Sequence, residues 1–249
     1  MLSYVGADII RPAVRASFMS RPMYGRVIRA LRKIMETKKI ILASASPRRR
    51  EILKENNIEF EVLIPTGEEK NIVGKNYSEE LVNECAINKA KSAAETLGSH
   101  SSPIQKFVGA DSENVGADTF RSTVRASYTS PIIVSCDTVV VNDGIIIGKP
   151  KDREDAIRIL KSLSGKTHIV ASSVCVIRGD DVKVAHEITK VTFRELSDME
   201  IEEYIDRCKP YDKAGSYGIQ DEGFDLAVKL DGNIDNVIGL PMVAFKSII

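Results

Sequence analysis

Cysteine and histidine are scarce in this chain, and neither is grouped. The four cysteines, Cys85, Cys136, Cys175 and Cys208, form no Cys-x-x-Cys pair. Such spacing points to reduced thiols in a cytosolic compartment rather than to a disulfide framework. The three histidines, His100, His168 and His186, are scattered, which argues against a histidine metal site. No apolar run approaches the roughly 20 residues of a membrane span. Nor is there an excess of one charge: 35 Lys and Arg balance 35 Asp and Glu. Broad attraction to nucleic acid or to a membrane surface is therefore not expected, although a local basic pocket for a small anion remains open. What is left is 249 residues, 43% hydrophobic and 28% charged, enough for one large domain or two small ones with a sizeable core.

Two stretches stand apart. Residues 1–38 carry Arg11, Arg15, Arg21, Arg26, Arg29, Arg32 and Lys33 against the acids Asp8 and Glu36. This basic extension reads either as a disordered or loosely helical arm or as a mitochondrial leader. Residues 99–131 are serine-rich and lack periodicity, and they echo the N-terminus. Val5-Gly-Ala-Asp8 recurs at Val108–Asp111 and at Val115–Asp118, and Val14–Phe18 recurs in altered form at Val124–Tyr128. One copied unit does not make a solenoid, so the stretch reads as a surface insertion, tolerated because loop closure costs grow slowly with length.

The chain is organised around Lys39–Leu53. A short apolar strand, Ile40–Ala43, enters a small-residue turn, and Ser46-Pro47 then marks a helix start. Serine at the cap position accepts a bond from a free amide, and proline at the first helical position sacrifices nothing. Helix starts attract anions, and Arg48, Arg49 and Arg50 add cations in the same turn. A polyphosphate seat and an ordinary strand-to-helix turn with solvated arginines both fit this stretch.

Downstream, Glu59–Ile64 reads as a strand. A helix is expected from Ser78 to Leu97, with Leu81, Val82, Cys85, Ala86, Ala90, Ala93, Ala94 and Leu97 on one apolar stripe and Gly98 as its stop. Ile132–Val141 reads as a strand interrupted at Ser135–Thr138, followed by the hairpin turn Asn142-Asp143-Gly144 and a return strand Ile145–Ile147. A helix capped by Asp152, strands at Thr167–Ile177 and Val182–Phe193, and a helix opened by the capping box Ser197–Glu200 come next. A polar loop at Asp212–Gln220, a strand near Phe224–Leu230 and a final helix after Pro241 complete the chain. Mixed crossovers and hairpins predict an α/β fold with a long, bent, mixed sheet flanked by helices.

Asp137 is the most informative residue, because a carboxylate within a run of valine and isoleucine costs free energy unless it is used or paired. The hairpin returns the chain to Lys149, whose ammonium can then sit beside Asp137 or beside a bound phosphate. Glu69 follows the second strand and can approach the same pocket. Two carboxylates on different strands can share a hard cation such as magnesium. Lys89 interrupts the apolar stripe as a phosphate ligand or as a snorkelling side chain. Lys213, Tyr217 and Gln220 sit in a glycine-containing loop, where a glutamine amide can read a base edge.

Six motifs occur in one order: Ser-x-Ser-Pro-Arg-Arg at Ser44–Arg49, Asp-Thr-Val-Val at Asp137–Val140, Gly-Lys-Pro at Gly148–Pro150, Leu-Ser-Gly-x-x-His at Leu163–His168, Asp-Lys-Ala-Gly-x-Tyr-Gly-Ile-Gln at Asp212–Gln220, and Gly-Leu-Pro at Gly239–Pro241. This series resembles the Maf family of nucleoside triphosphate pyrophosphatases, relatives of inosine triphosphatase, over roughly residues 39–245. The resemblance implies one Maf-like domain from residue 39 to residue 249 carrying the 99–131 insertion, two lobes with a central cleft, a homodimer, a cytoplasmic setting and a divalent metal, with magnesium expected. It implies hydrolysis between the α- and β-phosphates. By position, Asp137 matches the family's proton acceptor, Ser46, Arg49, Lys89 and Lys149 its phosphate-site residues, and Glu69 its second acidic residue. Arg48, Thr138 and Gln220 match positions tied to base selection, and Arg48 with Tyr-Gly-Ile-Gln resembles the dTTP/UTP branch. The alternatives are 7-methyl-GTP as substrate, or a non-catalytic nucleotide-binding regulator of cell division. Val115–Thr119 imitates the family's usual Gly-Ala-Asp-Thr. Only Asp137 is followed by the valines, the hairpin and Gly-Lys-Pro, so Asp137 is chosen over Asp118. Ser135-Cys136 stands where the family usually has Gly-Ala.

Overall fold

The structure, a computed structural model, describes residues 40–66, 70–100 and 131–249. The basic extension, Glu69 and nearly all of the 99–131 insertion therefore lie outside the described residues.

A seven-stranded mixed sheet forms the frame. Its central strand is β3, Ile132–Asn142, whose residues are all buried except Asp137 and Thr138. The strand does not break at Ser135–Thr138, as its sequence suggested. β5, Thr167–Arg178, pairs antiparallel from Ile132↔Arg178 to Val141↔Ile169, so the ladder runs unbroken through 135–138. The other edge of β3 is shared by two short strands. β1, Ile40–Leu42, runs parallel to Ile132–Val134, and β4, Ile145–Ile147, pairs antiparallel with Val140–Asn142. Between them, among the described residues, no strand covers 135–139 on that edge. This window sits where Asp137 and Thr138 become accessible.

The remaining strands extend the sheet on either side. β2 is reduced to the exposed pair Glu61–Val62 beside β1, shorter than its sequence suggested. β6, Asp181–Phe193, pairs with β5, and β7, Ala227–Asp231, pairs with β6. The β3–β4 turn uses Asp143 and Gly144 at φ 50° and 78°, the left-handed pair that suits the twist of a tight hairpin.

Helices cover both faces. α1 is Pro47–Glu55, and α2 is Glu79–His100. α2 crosses one face, with Val82, Cys85, Ala86, Ala90 and Ala93 buried against Ile133, Val139, Val141, Ala171, Cys175 and Ile177. It runs past Gly98 to His100, because one interior glycine costs only about 1 kcal/mol. α3, Arg153–Leu163, is capped by Asp152, whose side chain accepts from Asp155 N, and α4, Asp198–Cys208, opens with the expected Ser197–Glu200 capping box. α3 and α4 bury Leu160, Leu163, Tyr204 and Ile205 with Val140, Val170, Val191 and Phe193 on the second face. Two short helices finish the chain on that side, α5 at Ile234–Ile238 and α6 at Met242–Ile248. α5 was not anticipated from sequence.

Candidate active site

A cavity of about 140 Å³ opens beside the β3 window. Its wall comes from the β1–α1 turn (Ala43, Ser44, Ala45), from Arg49, from Ile64, Pro65 and Lys70, from α2 (Cys85, Asn88, Lys89, Ser92) and from Asp137. Among these residues the charged groups are three cations and one carboxylate.

Strand alternation sets the geometry. Ser135, Asp137 and Val139 face α2, and Ser135 Oγ donates to Ala86 O at 2.5 Å. Lys89, one turn further along α2, donates to Asp137 Oδ1, and both side chains are nearly buried, 17% and 14% exposed. The lysine that interrupts the apolar stripe is therefore an inward one. Lys149 is not the partner of Asp137. It is exposed, makes no ion pair among the described residues, and lies off the cavity wall. Its segment is pinned from both sides: Gly215 N donates to Gly148 O at 3.0 Å, and a Cβ on Gly148 would sit 2.6 Å from Val73 Cγ2.

Cys136 and Thr138 point to the opposite face, where Gly239 O accepts from Cys136 Sγ at 3.2 Å and from Thr138 Oγ1 at 3.3 Å. Arg49 joins the two sides of β3. Its Nε donates to Gly239 O at 2.8 Å, Nη1 to Ser44 Oγ at 3.2 Å and Nη2 to Thr138 Oγ1 at 3.4 Å. The guanidinium is held in place before any ligand arrives, and a planar fork fixed in this way suits phosphate oxygens.

Ser46 occupies the cap position of α1 in extended backbone, but its side chain caps nothing. Its own amide donates to Ser44 Oγ at 3.2 Å. The first amides of α1 are thus left without a side-chain acceptor, a condition that favours an anion. Arg48 turns outward to Asp212, Nη1 to Oδ2 at 3.0 Å. Asp212 also pairs with Lys213 at 3.1 Å. Partial burial pushes the Asp212 carboxyl up, yet Lys213 and Arg48 together bring it below its ordinary value. Gln220 is exposed, and Tyr217 is buried with its hydroxyl 2.8 Å from His168 Nε2. Neither lies on the cavity wall.

Sequence reading missed Ser44, Lys70, Cys85, Asn88 and Ser92 as wall residues. A signal was present for three of them. Counted from Cys85 on the apolar stripe, Asn88, Lys89 and Ser92 fall at i+3, i+4 and i+7, so the four share one helical face. Cys85 is no ready nucleophile, because burial, and then Asp137, push its thiol up.

An open mixed sheet with a cation-rich cleft beside the carboxylate of Asp137, bordered by a helix start without a side-chain cap, defines the class: an α/β protein with a basic cleft at the sheet. The chain belongs to the Maf family, whose model, a Maf-like protein, matches residues 39–249. It is 38% identical over 214 residues to the dTTP/UTP pyrophosphatase of Dictyoglomus turgidum, covering 85% of this chain and 95% of the relative. The dTTP/UTP pyrophosphatases of Pyrococcus furiosus and Aquifex aeolicus are 39% and 37% identical, each covering 85% of this chain and 94% of the relative. Two Ham1 proteins of known structure, from Staphylococcus aureus and Coxiella burnetii, overlay with a TM-score of 0.37 at 15% and 14% identity, covering 63% of this chain and 72% and 73% of theirs.

Proposed function

We propose that the protein is a nucleoside triphosphate pyrophosphatase that hydrolyses dTTP and UTP to the monophosphate and pyrophosphate. The observation that carries this reading is the cavity wall, where, among the described residues, Arg49, Lys70 and Lys89 stand with one carboxylate, Asp137; Lys89 is bonded to that carboxylate and Lys70 to Glu84. The names of the relatives, dTTP/UTP pyrophosphatase, support the choice of base. The cavity, at about 140 Å³, is small beside the roughly 300–1,000 Å³ of whole-ligand sites, which suits a phosphate tail with the nucleoside lying at the mouth. Arg48, Thr138 and Gln220 are assigned to selecting the base, and Ser46 and Lys149 to the phosphates.

In this reading the phosphates bind against Arg49, Lys89 and the first amides of α1, drawing the Lys89 ammonium off Asp137. Asp137 then takes the proton of a water whose oxygen bonds to the α-phosphorus. The bond from the α-phosphorus to the bridging oxygen breaks, and pyrophosphate leaves. Fixed cations facing the phosphoryl oxygens supply the largest stabilisation.

The donor set fits a magnesium ion held mainly by substrate. Among the described residues no group of three or more His, Cys, Asp or Glu is gathered. Among the described residues Asp137 is the one carboxylate on the wall, and magnesium is commonly held by one or two carboxylates plus substrate phosphates. We assign Asp137 and Glu69 to it; when bound, the ion would neutralise charge on the phosphoryl oxygens. A homodimer and a cytoplasmic or mitochondrial location complete the proposal.

The test is product analysis over dTTP, UTP, 7-methyl-GTP and the common purine triphosphates, with and without magnesium. Pyrophosphate from dTTP and UTP is expected. Orthophosphate as first product, preference for 7-methyl-GTP, or binding without turnover would each overturn it.

A further inference from the structure

Behind Asp137 the sheet carries a polar row that the chemistry above does not use. Asp137 on β3 stands opposite Ser173 on β5, and Ser173 stands opposite His186 on β6. Directly opposed residues of antiparallel strands share a face, with Cβ atoms about 4.5–5.5 Å apart. The three thus form one line across the face that α2 covers. Beyond the carboxylate the line is hydrogen bonded: Ser173 Oγ lies 2.8 Å from His186 Nδ1, and Tyr77 Oη lies 2.8 Å from His186 Nε2. Ser173 is fully buried. Burial lowers the His186 pKa, against the opposing pull of Glu79 and Glu80. A neutral ring offers one donor and one acceptor, which matches a hydroxyl at each nitrogen.

We propose that Tyr77, His186 and Ser173 are positioning residues for Asp137. They fix the side chain beside the carboxylate in one rotamer, and so hold Asp137 in the rotamer that faces Lys89 and the cavity. The sheet gives a reason for such a device. On its window side Asp137 has no cross-strand neighbour among the described residues, so Ser173 is the one opposed side chain that can restrain it. Lys89 is a poor substitute, because its stem is flexible and its ammonium is needed by the phosphates. The inference rests on Asp137 being the base.

The test is steady-state kinetics of Ser173→Ala, His186→Phe and His186→Asn in the full chain, with thermal melting of each preparation. Misplacing a catalytic group by a fraction of an ångström is expected to lower kcat about tenfold with KM within twofold of the parent. His186→Asn, which keeps an amide near the Nδ1 position, should recover part of the loss seen in His186→Phe. Unchanged kcat with a lowered melting temperature would mean a structural staple and would overturn the proposal. A rise in KM alone would overturn it too. If Ser173→Ala does not fold, Tyr77→Phe, which removes one half-buried oxygen, decides in the same way. The two readings fail separately: an active Asp137→Asn sinks the assignment of the base, whereas an inactive Asp137→Asn beside normal Ser173 and Tyr77 variants sinks the positioning row alone.

Discussion

Replacing Asp137 by asparagine separates chemistry from stability. The change removes one charge and keeps the shape and one acceptor oxygen. Losing a general base costs about 10²–10⁴-fold in rate, which is roughly 2.7–5.5 kcal/mol on the barrier. The fold loses less. Lys89 and Asp137 are 17% and 14% exposed, so the pair is partly screened, and the amide oxygen can still accept from the ammonium. A cost of about 1–2 kcal/mol is expected, against a typical domain stability of about 5–15 kcal/mol. Thermal melting should therefore show a folded protein at 25 °C while pyrophosphate release from dTTP falls by at least a hundredfold. Asp118→Asn, in the Gly-Ala-Asp-Thr of the 99–131 stretch, is the control and should keep parental turnover. Turnover of Asp137→Asn within tenfold of the parent, or loss of activity in Asp118→Asn alone, would refute the assignment.

Three further outcomes follow from the geometry. Arg49→Lys gives up a fork that donates to Gly239, Ser44 and Thr138; it should raise KM at least about tenfold and cost about 1–3 kcal/mol in urea unfolding, and an unchanged KM would remove Arg49 from the phosphate site. Gly215→Ala places a methyl 2.8 Å from Val140 Cγ2 at φ 73° and should destabilise by about 1–3 kcal/mol, lowering activity through the Gly148–Pro150 segment that Gly215 supports; a neutral effect on both would contradict that linkage. Burial lowers the His168 pKa from 6.5 to about 4, so between these values the unfolded chain binds the proton better and stability falls as pH falls. The parent should lose about 3 kcal/mol more than His168→Gln between pH 7 and pH 4, and equal losses by urea titration would show that His168 is not held neutral.

Much of this architecture was readable from local chemistry. Asp152 and Ser197 announced their helices because caps act within one turn, and Asn142-Asp143-Gly144 announced its hairpin because two left-handed residues fit little else. Asp137 stood out because a charge within a valine run is costly. What sequence could not supply was the partner of Asp137. Chain proximity favoured Lys149 across the hairpin, whereas Lys89 reaches the carboxylate because α2 crosses β3, which is a tertiary fact. The same limit explains Tyr217 and Gln220: their motif is compact in sequence, but packing buries the tyrosine against His168 and leaves the glutamine at the surface. Ser46 fits the cap pattern, yet its hydroxyl is not used as a cap, and no local rule could separate those outcomes.

The stretch of β3 left without a strand neighbour among the described residues has a consequence for how the protein meets other chains in solution. A naked strand edge is a template on which a second chain can lay a strand and begin to aggregate. Here β1 and β4 close both ends of the opening, so an incoming strand would meet one or the other before it could lie down. The opening that exposes Asp137 is thus bounded by a paired strand at each end, which shortens the template it offers to a second chain.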